Sequence, residues 1–250
     1  MRCLVLSDIH ANIDALEAVL DAAPAHETVW NLGDVVGYGA APNEVIERVR
    51  VLGTTFVRGN HDRACGERSS PHLFNPLAAR SVLWTRRRLT PAHVGWLQAM
   101  APGPVVPDGP QASCMHGSDR DEDEYLSCLS DAREPLRRAR TQINFFGHTH
   151  VQGGFALEGG GWRNLAPPYS KGEGVETCKV RLRPDGRYLI NPGSVGQPRD
   201  HDPRAAFAIF DGEEMTVIFH RVPYDLRRAQ LRILHEGLPG QLAARLNAGR

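Results

Sequence analysis

Five short polar clusters, each closing an apolar run, constrain this chain more than any other feature. In order they read Asp8-Ile9-His10, Gly33-Asp34, Gly59-Asn60-His61-Asp62, Met115-His116-Gly117 and Gly147-His148-Thr149-His150. They hold five of the eleven histidines. The runs before them, Leu4–Leu6, Thr28–Leu32, Thr55–Val57, Ala112–Met115 and Ile143–Phe146, are too short for helices and read as buried strands. Helical patterns separate the first three. Asn12 is placed to cap a helix that turns Ile13, Leu16, Val19 and Leu20 to one side. A second helix, over Asn43–Arg50, buries Val45, Ile46 and Val49. This alternation predicts a parallel sheet whose strands end at one edge, which gathers Asp8, Asp34 and Asn60 from distant parts of the chain.

Residues 63–103 break the rhythm with two expected helices, Pro76–Leu89 and Pro91–Met100, the second capped by Thr90. Glycine and proline then cluster between Pro102 and Pro110. After His150 the pattern turns antiparallel. Val151–Leu157 runs into Gly159-Gly160-Gly161, Lys179–Leu182 is expected to pair with Tyr188–Ile190 through Pro184-Asp185-Gly186, and Ala206–Phe210 with Thr216–Phe219 through Asp211-Gly212. A helix over Leu226–Leu234 follows. There is no internal repeat, and the glycine- and proline-rich stretches read as turns. Residues 1–250 are therefore expected to form one domain, with 63–103 as a helical insert and 223–250 as a C-terminal helical extension.

Composition removes several function classes. Formal net charge is zero, which gives no signal for nucleic acid, and Arg86-Arg87-Arg88 and the Arg133, Arg137, Arg138, Arg140 group read as solvated helix faces. No apolar stretch reaches membrane-spanning length, and Cys3–Leu6 is too short for a signal segment. The five cysteines are odd in number and form no C-x-x-C pair, as expected of reduced thiols in a cytoplasmic protein. Oligomerisation is left open.

The clusters themselves carry chemistry. Asp8 and His10, one residue apart at a strand end, are expected to point to one side, and His148 and His150 repeat the arrangement. Carboxylate with imidazole suits borderline divalent ions such as manganese, iron, zinc or cobalt. Asp8, His10, Asp34, Asn60, His116, His148 and His150 are too many for one ion that keeps an open position, and they suit two ions sharing a carboxylate. Metal pairs about 3.5–4 Å apart are a recurring device for phosphate-ester hydrolysis.

In this order and spacing the clusters resemble the motifs of the calcineurin-like metallophosphoesterases, from Arg2 to about Phe219. Gly33-Asp34-Val35-Val36-Gly37-Tyr38-Gly39, Asn75-Pro76 and a helix containing Trp84 are similar to small bacterial phosphodiesterases and the asymmetrical diadenosine tetraphosphate hydrolase-like subgroup. The resemblance implies an α/β (α+β) fold: a four-layer αββα sandwich of two mixed sheets flanked by helices, with a helical insert near the active site. It implies that Asp8, His10 and His150 hold a first ion, that Asp34 bridges, and that Asn60, His116 and His148 hold a second. His61 would lie beside the phosphate and protonate the leaving alkoxide after attack by a metal-bridging hydroxide. Manganese is the first choice of metal, with iron, zinc, cobalt, nickel or magnesium as alternatives. The implied substrate is a small phosphorylated compound or nucleotide, cleaved at a phosphodiester or phosphoanhydride bond. A phosphomonoesterase (protein phosphatases included) is the alternative, and a protein-binding scaffold without catalysis a further one.

The chain also departs from relatives. Gly37-Tyr38 stand where the protein-phosphatase branch, with its relative the symmetrical diadenosine tetraphosphatase, has an Asp-Arg pair, so the usual partner of His61 and the phosphate-gripping arginine are missing, which counts against both. Tyr38 is not placed as the extra tyrosine ligand of purple acid phosphatases. Arg199 and Arg58 are the candidate replacement cations. Asn191–Arg199 resembles a segment of the small phosphodiesterases, read either as amides approaching phosphate or as a tight inter-strand loop. Trp84 is read either as a base-stacking ring or as core packing.

Overall fold

The run Arg2–Leu6 alternates its side chains between two cores, and that alternation sets the layering of the whole molecule. Leu4 and Leu6 face helices on one side, while Cys3 and Val5 face a second sheet on the other. The computed structural model describes residues 1–67, 74–109, 111–170 and 172–250. His72, to which the sequence gives no role, and Pro110, at the end of the glycine–proline cluster, lie outside them.

The first sheet is built on β1 (Arg2–Leu6), β2 (Thr28–Asn31) and β3 (Thr55–Phe56), which run parallel as the alternation predicts. Helices α1 (Ile13–Ala22) and α2 (Pro42–Arg50) make the crossovers. Asn12 caps α1, its Oδ1 accepting the Ala15 amide at 3.2 Å. Beyond β3 come α3 (Asn60–Glu67), α4 (Pro76–Arg88) and α5 (Pro91–Ala99). Asn75 and Thr90 cap the last two, each with proline in the first turn. The Gly59–Asp62 cluster is thus more than a turn: Asn60 opens a helix, and the Asp62 carboxylate accepts the amides of Gly59 and Val36, both at 3.1 Å.

The second sheet contains β4 (Ala112–Cys114), β5 (Ile143–Phe145), β6 (Gly153–Glu158), β7 (Gly161–Leu165) and β9 (Arg187–Asn191) in the order β4-β5-β9-β6-β7. Helix α6 (Leu129–Arg138) covers its outer face through Ala132 and Leu136 against Phe146, Phe155 and Leu189. The first sheet is completed by β8 (Glu176–Arg181), β10 (Ala205–Asp211) and β11 (Thr216–Val222), giving β3-β2-β1-β10-β11-β8. Both sheets mix parallel and antiparallel neighbours. Trp30, Phe145 and Phe210 meet between them at centroid distances of 5.4–6.0 Å. Helices, sheet, sheet and helix form four layers, as expected.

One pairing differs from expectation. Lys179–Leu182 and Tyr188–Ile190 do not form a hairpin: β8 lies beside β11 in the first sheet, and β9 lies between β5 and β6 in the second. Pro184-Asp185-Gly186 is a turn, but it carries the chain from one sheet to the other. Turn chemistry fixes a reversal and not the partner. The hairpin of β10 and β11 forms as expected.

The chain described ends in α7 (Leu226–His235) and α8 (Gly240–Ala248), which pack on Tyr38, Ala78 and Trp84. Trp84 donates its indole N–H to the Glu236 carbonyl at 3.0 Å. It is a packing residue and not a base-stacking ring. No helix among the described residues is long and apolar enough to cross a membrane, and all five cysteines are free thiols.

His220 of β11 stacks on Phe207 at 4.5 Å, and burial lowers its pKa to about 4. Because the folded value lies below the unfolded value of about 6.5, its contribution to stability is complete above pH 6.5. It is lost as pH falls towards 4. In urea unfolding of metal-stripped protein between pH 7 and pH 4, His220→Phe is expected to lose less stability than wild type over that interval. Parallel acid limbs for the two proteins would contradict this account.

Candidate metal centre

The polar clusters converge because β1, β2, β3, β4 and β5 all deliver their C-terminal ends to one edge of the sandwich. Main-chain bonds lace these loops together: Asp8 N–H to Gly33 O at 3.0 Å, His10 N–H to Asp34 O at 2.9 Å, and Gly147 N–H to His116 O at 2.8 Å. The side chains do not meet through the strand pleat, as the spacing suggests, because β1 and β5 stop at Leu6 and Phe145. Instead Asp8, His10, Asp34, His148 and His150 all have φ between 49° and 64°. Such left-handed backbone is uncommon for residues other than glycine, and its clustering marks a functional site. Left-handed turns, rather than i, i+2 alternation, aim these side chains inward.

Two groups of buried atoms result. One comprises Asp8, His10, Asp34 and His150, the other Asp34, His116 and His148, and within each the ligand-capable atoms lie within 4.8 Å of one another. Asp34 belongs to both. Its Oδ2 is 3.5 Å from His10 Nε2 and 3.3 Å from His116 Nε2, while its Oδ1 accepts the His61 amide at 2.9 Å. Asn60 is buried beside them with Oδ1 unpartnered.

Whether cations fit here can be read from the hydrogen bonds. His10 Nδ1 faces the Val36 carbonyl at 3.1 Å, His116 Nδ1 the Leu32 carbonyl at 2.8 Å, and His150 Nδ1 the Gln197 carbonyl at 2.6 Å. A carbonyl only accepts, so these Nδ1 atoms carry hydrogen, and in the neutral rings Nε2 presents a lone pair to the interior. His10 Nε2 and His150 Nε2 then face each other at 3.1 Å, and His150 Nε2 faces Asp8 Oδ1 at 3.3 Å. Among the described residues Asp8 Oδ1, Asn60 Oδ1 and His116 Nε2 have no hydrogen-bond partner. A buried unsatisfied polar atom costs about 1–3 kcal/mol. Acceptors turned towards acceptors call for cations between them, and the donor set suits divalent ions. His148 differs in hand: its Nε2 meets the Asp123 carbonyl at 3.1 Å, which leaves Nδ1 for an ion.

The protonation pattern follows the same logic. Burial raises Asp8 to about 7, with the neighbouring Asp34 charge adding to it. Burial opposes a charge on His116, but the Asp34 carboxylate outweighs it and holds that imidazole up near 10. Burial takes His10 and His150 well below their ordinary value and lowers His148 to about 3. The proton on His116 occupies a place that a metal ion would contest.

His61 is buried and lowered to about 4 by that burial. Its ring lies 4.5 Å from Tyr38, 5.0 Å from His10 and 4.8 Å from Phe74. Asp62 cannot orient it, since both carboxylate oxygens are taken by main-chain amides. Gly37 lies against His61 Nδ1, where a Cβ would overlap it. Packing, not a carboxylate, holds this imidazole.

The Asn191–Arg199 segment supports the loops. Val195 N–H and Gly196 N–H bond to the Ser7 and Asp8 carbonyls at 3.0 Å, and Ser194 Oγ donates to Asp8 O at 2.7 Å. A Cβ on Gly196 would overlap the Ile9 carbonyl oxygen. These two amides are therefore not available to phosphate. Of the candidate cations, Arg58 is engaged by Glu67 and Glu122, whereas the charge of Arg199 acts on Asp8, His10, His61, His148 and His150. The carbonyls of Leu32, Val36, Gln197 and Asp123 carry no signal in a sequence. Nor does Tyr125, which stacks on His148 at 3.9 Å from within an acidic loop.

Residues 1–215 match the calcineurin-like phosphoesterase superfamily domain. An uncharacterized protein of Methanocaldococcus jannaschii is 33% identical over 252 residues, covering 98% of this chain and 97% of that protein. A symmetrical bis(5'-nucleosyl)-tetraphosphatase of Yersinia enterocolitica is 33% identical over 105 residues, which span 35% of this chain and 36% of that enzyme. The crystal structure of a metallophosphoesterase from Sphaerobacter thermophilus superposes with a TM-score of 0.85 at 39% identity, covering 100% of this chain and 99% of that one. A hypothetical protein from Pyrococcus horikoshii shares the fold, with a TM-score of 0.74 at 20% identity and coverage of 100% and 98%. With this match added to the layered fold and the shared Asp34, the chain belongs to the calcineurin-like phosphoesterase superfamily.

Proposed function

We propose that this chain is a dinuclear-metal phosphoesterase that hydrolyses phosphodiester or nucleotide phosphoanhydride bonds. The observation that carries the reading is the set of facing acceptors, His10 Nε2 against His150 Nε2 and Asp8 Oδ1, with Asp34 common to both groups. Asp8, His10 and His150 would hold one ion, Asn60, His116 and His148 the other, and Asp34 both. Bound there, two divalent ions activate water for attack on phosphorus and offset the charge that develops on the phosphate. Manganese is our first choice, since the donors are imidazole, carboxylate and amide oxygen with no thiolate among them.

The chain's own residues supply the rest. The Leu32, Val36 and Gln197 carbonyls fix three imidazole tautomers, so little reorganisation remains when ligands are engaged. His61 would offer its N–H to the leaving oxygen, its ring held in place by Tyr38, Phe74 and His10. Arg199 would add positive charge towards the phosphate. The phosphoanhydride part of this reading is supported by the likeness, over 105 residues, to a bis(5'-nucleosyl)-tetraphosphatase.

Two measurements test the reading. Elemental analysis of manganese-reconstituted protein is expected to give about two ions per chain, and Asp34→Asn is expected to lose at least one of them. Its kcat/KM on bis-p-nitrophenyl phosphate should fall at least a hundredfold, about 3 kcal/mol in transition-state stabilisation. Activity that survives this change would sink the two-ion mechanism. In the second, His61→Gln is expected to keep its metal content while kcat falls about 10²–10⁴-fold, the range for positioned proton transfer. A wild-type kcat in that variant would remove His61 from the reaction. Faster turnover of p-nitrophenyl phosphate than of the diester would replace the diesterase reading with a phosphomonoesterase.

A further inference from the structure

Beyond the ligand cage, two guanidinium groups converge on one tyrosine. The Arg199 Cζ lies 5.7 Å from the Tyr38 ring centroid and the Arg245 Cζ 5.6 Å. Both side chains reach the Tyr38 hydroxyl, Arg199 Nη2 at 3.5 Å. Tyr38 in turn lies edge-on to His10 at 4.7 Å and 4.5 Å from His61. Two like charges are thus held together one aromatic ring away from the reactive centre.

The two are partnered differently: Arg199 meets no carboxylate among the described residues, while Arg245 Nε is engaged by the main-chain oxygen of Arg250. Among the described residues no side-chain carboxylate lies within salt-bridge distance of Arg199 or Arg245. Arg199 contacts only neutral side chains, Gln197 and Tyr38, and its Nε is buried without a partner. Arg245 donates Nε to the main-chain oxygen of Arg250, and burial, reinforced by the Arg199 charge, lowers its pKa. Two arginines of α7 are held differently: Arg228 and Arg232 both pair with Asp14. An anion reaching the Tyr38 hydroxyl would meet positive charge from both side chains.

Their position is fixed, which makes the pair a site and not a pair of solvated side chains. Helix α8 is seated by Leu242, Ala243 and Leu246 in the cluster that contains Tyr38 and Trp84. Gly249, at φ +58°, closes the helix against His201, whose N–H bonds to its carbonyl at 2.9 Å. Arg199 is held on the ligand loop itself, its N–H bonded to the His150 carbonyl at 3.2 Å.

We propose that Arg199 and Arg245 clamp a second phosphate group, so that the site selects substrates with a chain of phosphates, such as nucleoside polyphosphates, over those with one. The proposal rests on the phosphoesterase reading above and assigns Arg245 as a specificity-determining residue. Guanidinium pairs suit phosphate oxygens geometrically as well as by charge. Residue 245 lies outside the stretch that matches the superfamily domain, residues 1–215. Selectivity would thus come from a helix added to the shared catalytic frame.

The test is calorimetric titration of the manganese-loaded protein, with free manganese in excess, using AMP and the α,β-methylene analogue of ADP. The two probes differ by one phosphate. Wild type is expected to bind the diphosphate at least tenfold more tightly than AMP. Arg245→Met is expected to shrink that ratio at least fivefold, Arg245→Lys to restore part of it, and Arg227→Met, on the exposed side of α7, to leave it intact. Unchanged far-UV circular dichroism and metal content confirm that α8 is still in place. The proposal is overturned if wild type binds the two probes equally or binds neither, or if Arg245→Met and Arg245→Lys change both affinities by one factor. A ratio that depends on Arg245 in a protein that cleaves no phosphoester would refute the reaction and leave the clamp standing.

Discussion

Three main-chain carbonyls, those of Leu32, Val36 and Gln197, govern the chemistry of this molecule. Each accepts a hydrogen from a histidine Nδ1, and that choice turns three Nε2 atoms, of which His116 alone holds a proton, into a space already lined by carboxylates. The arrangement is unfavourable until a cation arrives, since like-charged or electron-rich atoms buried together gain nothing from solvent. The sheets can tolerate it because Trp30, Phe145, Phe210 and their neighbours bury a continuous apolar layer between them. Stability made in the core supports strain held at the edge.

That strain has a definite location. Asp8, His10, Ala11, Asp34, Tyr38, His148 and His150 are seven of the nine non-glycine residues with positive φ among those described, and all lie in the loops around the site. Only His201 and Met215 fall elsewhere. The superfamily match covers the segment that carries all seven. The segment around Gly196 then locks two of these loops from below, where no side chain larger than hydrogen fits against Ile9.

Much of this was legible in the residues. Short apolar runs ending in polar clusters, with capped amphipathic helices between them, lead to the parallel start of the first sheet, because period and capping are local properties. The four-layer fold was implied by the family resemblance that the clusters carry. Two things were not legible. Lys179–Leu182 and Tyr188–Ile190 carry every mark of a hairpin, yet strand partners are chosen by the cores on either side, which no local pattern encodes. The hydrogen-bond acceptors that set the histidine tautomers are peptide carbonyls, identical in every residue and so invisible as letters.

The insertion of β9 between β5 and β6, and of β10 beside β1, carries one more consequence, for timing. The first candidate ligand is residue 8 and the last is residue 150, yet the carbonyl that sets the His150 tautomer belongs to Gln197 and the amide that braces Asp8 to Gly196. A nascent chain that has passed His150 holds every candidate ligand and none of this bracing. The full set of contacts around the candidate site exists only once the second sheet has admitted its central strand. Any metal capture that needs this bracing would therefore follow the chain's crossing between its sheets.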